Sequence, residues 1–191
     1  MKRFFDLTVG AFAFVCLLVP IILVAIAVRL TSTGPALYWS DRVGRNNAIF
    51  KMPKFRSMQI ATPAVATHLL SNPDAYLTPI GSFLRKSSLD ELPQLFNVLQ
   101  GHMALVGPRP HAVAHNNYYS GKILAYMARH RIKPGITGLA QINGCRGETD
   151  TIDKMQKRVE IDLKYINNWS LWLDFVILVR TLNAFTGKQA Y

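Results

Sequence analysis

Leu7 to Val28 reads LTVGAFAFVCLLVPIILVAIAV, 22 residues without a charge, and at about 1.5 Å of rise per residue a helix of that length covers the hydrocarbon core of a bilayer. Pro20 stands near its middle. A proline inside a helix removes a backbone hydrogen bond and collides with the preceding turn, at a cost of about 3 kcal/mol, so it breaks or kinks the helix. In a bilayer the freed backbone groups need protein or water as partners, which favours a helix that turns back over one that crosses. Lys2 and Arg3 precede the run and Arg29, Arg42, Arg45, Lys51, Lys54 and Arg56 follow it. Positive flanks stay on the cytoplasmic side, so both ends are placed there. The run predicts a re-entrant helix-break-helix over residues 1–32 with Pro20 as the membrane break, ahead of a kinked single span. A signal peptide ranks third, because the apolar core is too long and Cys16 and Cys145 give an exported domain no disulfide framework.

Residues 33–191 suit one compact domain facing the cytoplasm, with no repeat or low-complexity tract to divide it. The predicted class is α+β, mostly helical, with interfacial amphipathic helices and a small β-hairpin. Ala36 to Ser40 and Ala48 to Met52 form the hairpin around Gly44. Ala61 to Asp74 reads as a loop, and Thr78-Pro79 opens a short helix ending at Arg85-Lys86. Ile152, Met155, Val159, Leu163 and Ile166 recur at helical spacing. Trp169 to Arg180 is apolar but too short and too charged to span, so it lies on the bilayer or completes the core. His68, His102, His111, His115 and His130 show no metal-ligand spacing and are read as solvated or core residues.

The formal charge of +11 is concentrated. Arg42 to Gly147 holds thirteen lysines and arginines against Asp74, Asp90 and Glu91. A segment of that kind expects nucleic acid, an anionic membrane surface or a phosphate-bearing substrate. The basic residues lie scattered among prolines and glycines with few aromatics between them, so nucleic acid is set aside. Within this stretch Asp90 and Glu91 stand side by side in Leu89-Asp90-Glu91-Leu92-Pro93-Gln94. With Asp90 as N-cap, Pro93 falls where its missing N–H is harmless, and the helix runs from Glu91 to Gln100 and stops at Gly101. The plain reading is a capped helix start, each acid contributing about 0.5 to 1 kcal/mol.

The chemical reading is phosphoryl transfer. Nearby cations such as Arg85 hold an aspartate ionised, and an ionised aspartate can attack phosphorus while a neighbouring acid and Mg²⁺ neutralise the charge being moved. Arg109 sits between two prolines in Gly107-Pro108-Arg109-Pro110, a stiff presentation with little entropy left to lose. Lys133-Pro134-Gly135-Ile136-Thr137-Gly138 and Asn143-Gly144-Cys145-Arg146-Gly147 are glycine-rich and basic without being a known phosphate loop, and could line a diphosphate site.

Five stretches together resemble the bacterial sugar transferases, the monotopic phosphoglycosyl transferases. They are the apolar helix broken at Pro20, Lys54-Phe55-Arg56-Ser57-Met58, Ser88 to Gln94, Gly107 to Pro110, and Lys133 to Gly144. The resemblance implies transfer of a sugar 1-phosphate from a UDP-sugar to undecaprenyl phosphate with release of UMP, at the bacterial inner membrane, as a first step of glycan assembly. It implies Asp90 as nucleophile, Glu91 as magnesium ligand beside Asp90, and Lys54, Arg56, Arg85, Arg109, Gln141 and Arg146 as substrate or phosphate contacts. Glucose or galactose ranks ahead of an N-acetylhexosamine, a homodimer is left open, and the chain reads equally as a minimal form, a fragment or a hybrid. Val19 stands where relatives often carry serine, and Cys145 where some carry a substrate-contacting arginine. A non-catalytic membrane scaffold is the alternative from another class.

Overall fold

The computed structural model describes residues 1–60, 73–145, 147 and 151–186. The expected loop over residues 61–74 therefore falls mostly outside the described residues, as do His68 and Arg146.

The apolar run forms two helices, α1 (Lys2–Cys16) and α2 (Leu18–Thr31), bent by 57° at Leu17. The break is three residues earlier than Pro20, which sits inside the first turn of α2. The displacement has a simple cause. A proline obstructs the carbonyl four residues before it, here that of Cys16, so the chain bends in the preceding turn and Pro20 itself occupies a position whose N–H has no helical partner to lose. Among the described residues no single helix is long and apolar enough to cross a membrane, although the bent pair together passes that test.

The hairpin is longer than expected. Strand β1 (Leu37–Val43) pairs antiparallel with β2 (Ile49–Phe55), with Tyr38 opposite Lys54. Helix α3 (Gly81–Ser87) begins after Thr78-Pro79 rather than at them, because the Thr78 hydroxyl turns to the Ser57 carbonyl instead of capping. A 3-10 turn (Leu89–Gln94) leads into α4 (Leu95–Gln100), which ends at Gly101 in the left-handed conformation, as the sequence predicts. Strand β3 (Ala104–Val106) pairs parallel with β4 (Gly135–Thr137). Helix α5 (Val113–Ser120) and a 3-10 turn (Tyr126–Arg131) lie between them in sequence, and α6 (Leu139–Ile142), α7 (Ile152–Asn167) and α8 (Leu171–Thr186) follow. The class is thus mostly helical α+β with two small sheets.

The central core gathers Phe50, Leu95, Val98, Met103, Val106 and Ile177, with Val9, Ala13 and Phe14 of α1 packed on it. A second cluster joins Val28 of α2 to Phe55 and Leu84. The bent pair therefore shares its apolar packing with the rest of the chain, while Phe12, Val15, Leu23 and Leu30 face outward and stay exposed. The N-terminus is pinned as well. Arg3 donates to the carbonyls of Val98 and Leu99, Lys2 donates to Asp174 at 2.7 Å, and Asp6 accepts from Leu105 N.

Helix α7 starts at Thr151, whose hydroxyl accepts from Lys154 N, and buries Met155 and Val159. Helix α8 completes the core through Ile177, which is fully buried, while Trp172 on its outer side is 72% exposed.

Candidate active site

The acidic pair is held differently from the capped helix start that its sequence suggests. Ser88 adopts φ 55°, a left-handed conformation uncommon for a residue with a side chain, and ends α3 there. The chain then enters the 3-10 turn, in which Asp90 and Glu91 occupy the first turn and Pro93 is buried; Asp90 is not the cap. The turn packs on β2, and this brings Lys54 to the acids.

Glu91 is surrounded by donors. Its Oε1 accepts from Lys54 Nζ at 2.6 Å and from Arg109 Nη2 at 2.7 Å, and its Oε2 accepts from Arg109 Nη1 at 3.2 Å. Burial alone would raise the pKa of Glu91, but Arg109 and Lys54 outweigh it and hold the carboxyl well below the usual glutamate range. A carboxylate offers about four lone-pair sites, so one remains, on Oε2.

Asp90 is placed otherwise. Its ion pair among the described residues is with Lys54 Nζ, at 3.8 Å from Oδ2, too long for a hydrogen bond. Burial raises its pKa above the ordinary aspartate value; Lys54, Arg109 and Arg85 oppose that rise, and the adjacent Glu91 charge adds to it. Two neighbouring carboxylates are thereby driven apart, one kept ionised by three donated hydrogen bonds, the other held at a cost with more acceptor capacity to spare. That is the environment expected of a reacting carboxylate beside a structural one.

Arg109 is strapped from both sides. Its own carbonyl accepts from Arg129 Nη2 at 2.9 Å, and the Pro108 carbonyl accepts from Gly135 N at 2.9 Å. The glycine-rich stretch explains itself here: a Cβ on Gly135 would overlap Gly107 N, and one on Gly138 would overlap the Gly107 carbonyl. These glycines let β4 lie backbone to backbone against the Arg109 loop, a packing role that their sequence did not show. The family description bacterial sugar transferase matches residues 1–188, a span that includes the acidic pair, the Arg109 loop and the broken helix. The chain belongs to the bacterial sugar transferase family.

Individual relatives carry the likeness further. It is 48% identical to a UDP-glucose:undecaprenyl-phosphate glucose-1-phosphate transferase of Klebsiella pneumoniae, over 100% of this chain and 41% of the relative. A protein of the same name from Caulobacter vibrioides is 43% identical, over 100% of this chain and 72% of the relative. The exopolysaccharide production protein PSS of Rhizobium leguminosarum bv. phaseoli is 40% identical, over 95% of this chain and 93% of the relative. The chain thus spans about two fifths of the Klebsiella relative and nearly all of the Rhizobium one.

Of the residues singled out in the sequence, the structure brings Asp90, Glu91, Lys54 and Arg109 into one cluster. Arg85 joins it through charge, lowering the Asp90 pKa, while its Nε donates to Ser57 Oγ at 3.1 Å. Arg56 lies beside the cluster but is turned to Ser32. Gln141 donates to the Ile136 carbonyl and braces the loop.

The sequence reading missed Arg42 and Arg129 as parts of the site. Arg42 is pushed down to about 10 by burial and by the neighbouring Arg109, so it belongs to the same electrostatic cluster. It was legible only as one more basic flank. Arg129 is 2% exposed. Nothing in Tyr126 to Arg131 marks it as buried, since its partner Asp162 lies 33 residues away.

Proposed function

We propose that this chain moves glucose 1-phosphate from UDP-glucose to undecaprenyl phosphate and releases UMP, as an initiating step of polysaccharide assembly. An Asp90 carboxylate oxygen attacks the β-phosphorus of the sugar nucleotide. The phosphorus–oxygen bond to the α-phosphate breaks, UMP departs with that bonding pair, and the sugar phosphate is left on Asp90. A phosphate oxygen of the lipid then attacks the same phosphorus and returns the carboxylate. The observation that carries this reading is the unequal pair: Glu91 is engaged by Lys54 and Arg109 through three hydrogen bonds, whereas Asp90 retains unshared oxygen capacity beside them. Lys54, Arg85 and Arg109 supply positive charge where the transferring phosphoryl group would lie.

Magnesium fits this donor set as a partner of two carboxylates and phosphate oxygens, with Asp90 and the remaining lone pair of Glu91 Oε2 as the protein ligands. Bound there it would offset the charge of the diphosphate. The choice of glucose follows the names of the Klebsiella and Caulobacter relatives.

The bent pair is read as re-entrant, entering and leaving one leaflet on the cytoplasmic side. Supporting this, Lys2 and Arg3 at the start of α1 and Val28 and Ser32 at the end of α2 all contact the same body of protein. That arrangement puts Asp90 where a dissolved nucleotide sugar and a lipid phosphate can both arrive.

The test is UMP release from the full chain in detergent with UDP-glucose, undecaprenyl phosphate and Mg²⁺. Release is expected from the wild type and not from Asp90→Asn; ordinary turnover by that variant would overturn the assignment. The scaffold alternative predicts no UMP from either protein.

A further inference from the structure

The β-hairpin turns one of its faces to the acidic pair. Tyr38, Ser40 and Arg42 of β1 lie opposite Lys54, Met52 and Phe50 of β2, and cross-strand partners share a face of the sheet. Phe50 and Met52 are buried on that face and Lys54 reaches Glu91 from it. Arg42 is therefore on the same side of the hairpin as the catalytic cluster.

Three anchors fix it there. Its backbone forms an antiparallel bridge with Ala112, Val43 N donates to the His111 carbonyl at 3.2 Å, and Arg42 Nε donates to Ser40 Oγ at 3.1 Å. The first two tie this end of β1 to the segment that follows Arg109, so the two arginines are held as neighbours although their charges repel. The third uses one side of the guanidinium and leaves its far end. Nη1 and Nη2 of Arg42 hydrogen-bond to no described residue and are not closed off from solvent, and no carboxylate among the described residues pairs with them. These two groups form the end of the planar fork, which matches two oxygens of one phosphate. Arg109 has no such end to offer, because its Nη1 and Nη2 both donate to Glu91.

The place of Arg42 along the hairpin selects the substrate. At the far end of the strands Leu37 and Phe55 pack with Val28 of α2, the apolar helix. Arg42 lies five positions further along β1, about 16 Å at the rise of an extended strand, next to a turn in which Arg45, Asn46 and Asn47 are exposed. Its end of the site faces water, which suits a dissolved sugar nucleotide and not a lipid phosphate. The charge of Arg109 acts on Asp90 from one side and on Arg42 from the other. A diphosphate supplies two adjacent phosphoryl groups, one for each side of Arg109.

We propose that Arg42 is a catalytic residue that grips the α-phosphate of the sugar nucleotide through Nη1 and Nη2 while the β-phosphorus lies at Asp90. The inference deepens the proposed function and rests on it for the identity of the nucleotide. When the bond between the β-phosphorus and the bridging oxygen breaks, the bonding pair stays on that oxygen and the α-phosphate gains a negative charge as UMP forms. A guanidinium on the α-phosphate meets that charge as it develops. Arg42 thus acts on the first displacement and not on the second, in which the lipid phosphate attacks.

Two measurements on the full chain in detergent test it. In the first, wild type, Arg42→Gln, Arg42→Lys and Arg45→Gln are titrated with UMP. Arg42→Gln is expected to bind it more weakly by about tenfold or more, and Arg42→Lys to fall between that variant and wild type, because the charge is kept and the fork is lost. Arg45→Gln removes an exposed charge from the same hairpin and is expected to change binding less than twofold. Arg42→Lys reports on the contact even where Arg42→Gln folds poorly. UMP binding by either Arg42 variant equal to that of wild type would overturn the grip, as would absence of binding by the wild type. An equal loss in Arg45→Gln would reduce the effect to general attraction and overturn it too.

In the second measurement, UMP formed from UDP-glucose and Mg²⁺ in a single turnover without lipid is followed by rapid quenching, and undecaprenyl phosphate is then added to the loaded enzyme. Arg42→Gln is expected to slow the first step by about a hundredfold and the second less than twofold. A slowed second step, alone or equally with the first, would assign Arg42 to the lipid phosphate or to the fold and overturn the inference. Absence of UMP from the wild type with and without lipid would instead count against the proposed function, and the UMP titration would still decide whether Arg42 holds a nucleotide phosphate.

Discussion

Two clusters of paired charges meet at the Arg109 loop, and they are finished to different degrees. In the Arg129 cluster, Arg129 and Asp162 are 1% and 3% exposed at their side chains, and every face of the guanidinium is used: Asp162 takes Nε, His111 Nδ1 meets Nη1, and the Arg109 carbonyl takes Nη2. In the Glu91 cluster, Lys54, Glu91 and Arg109 are 20%, 15% and 28% exposed, and Asp90 keeps oxygens unshared. The first is sealed and complete; the second is open on one residue. Since Arg129 holds the backbone of Arg109, the sealed cluster serves as foundation for the open one. Incomplete pairing of a buried charge costs stability, and it persists where the vacant capacity is used on something that comes and goes.

The comparison breaks most sharply at Asp90. Asp90→Asn is expected to lower UMP release by about a thousandfold or more while leaving the melting temperature unchanged or higher, measured by thermal unfolding in detergent. A drop of several degrees would mean that Asp90 is structural, as its neighbour is. Arg129→Met tests the opposite member. It leaves Asp162 buried without its cation, and a loss of about 3–5 kcal/mol is expected from a denaturant titration, with little activity remaining because Arg109 loses its anchor.

Glu91→Gln is intermediate. It removes the charge that Lys54 and Arg109 share, with an expected loss of about 2 kcal/mol in the same titration and a fall in turnover smaller than that of Asp90→Asn.

The smallest effects are the pH dependences, which run in opposite senses. The folded pKa of Glu91 is depressed, so its contribution to stability is present above the ordinary glutamate value of 4.5 and is lost as pH falls from there through its lower folded pKa. The folded pKa of Asp90 is raised, so protonating it favours the folded state while removing the nucleophile. Turnover should therefore fall on acidification at a pH above the ordinary aspartate value of 3.8, before the Glu91 contribution to stability is lost. Parallel pH profiles of rate and of unfolding free energy would show whether the two losses separate; coincidence would count against the division of roles.

What the sequence made legible is whatever short-range chemistry decides. The uncharged run with Pro20, the hairpin around Gly44, the helical stripe from Ile152 to Ile166 and the stop at Gly101 each follow from neighbours within a few residues, and each is found with small shifts. The isolation of Asp90 and Glu91 among cations was legible too, as was the stiff presentation of Arg109. The manner of their support was not. Aspartate favours caps in general, but Ser88 takes the left-handed turn and places Asp90 two residues inside, where the turn packs on β2. Nor could the sequence show that Gly135 and Gly138 serve backbone packing, or that Arg129 reaches Asp162, because these depend on strands and helices brought together from distant positions.

Asp174 is fully buried and is met by Lys2 from one end of the described chain, by Tyr165 from α7 and by Trp169 from the turn before α8. Its closest approach to Lys2 joins residues 172 positions apart. During synthesis, when residues emerge one after another, α1 and α2 exist long before α8 does. The apolar pair is thus made while its partner Asp174 is still untranslated, and the body of the protein closes over a helix that already exists. Order of manufacture, as much as hydrophobicity, then bears on which face of that helix the protein covers and which it leaves exposed.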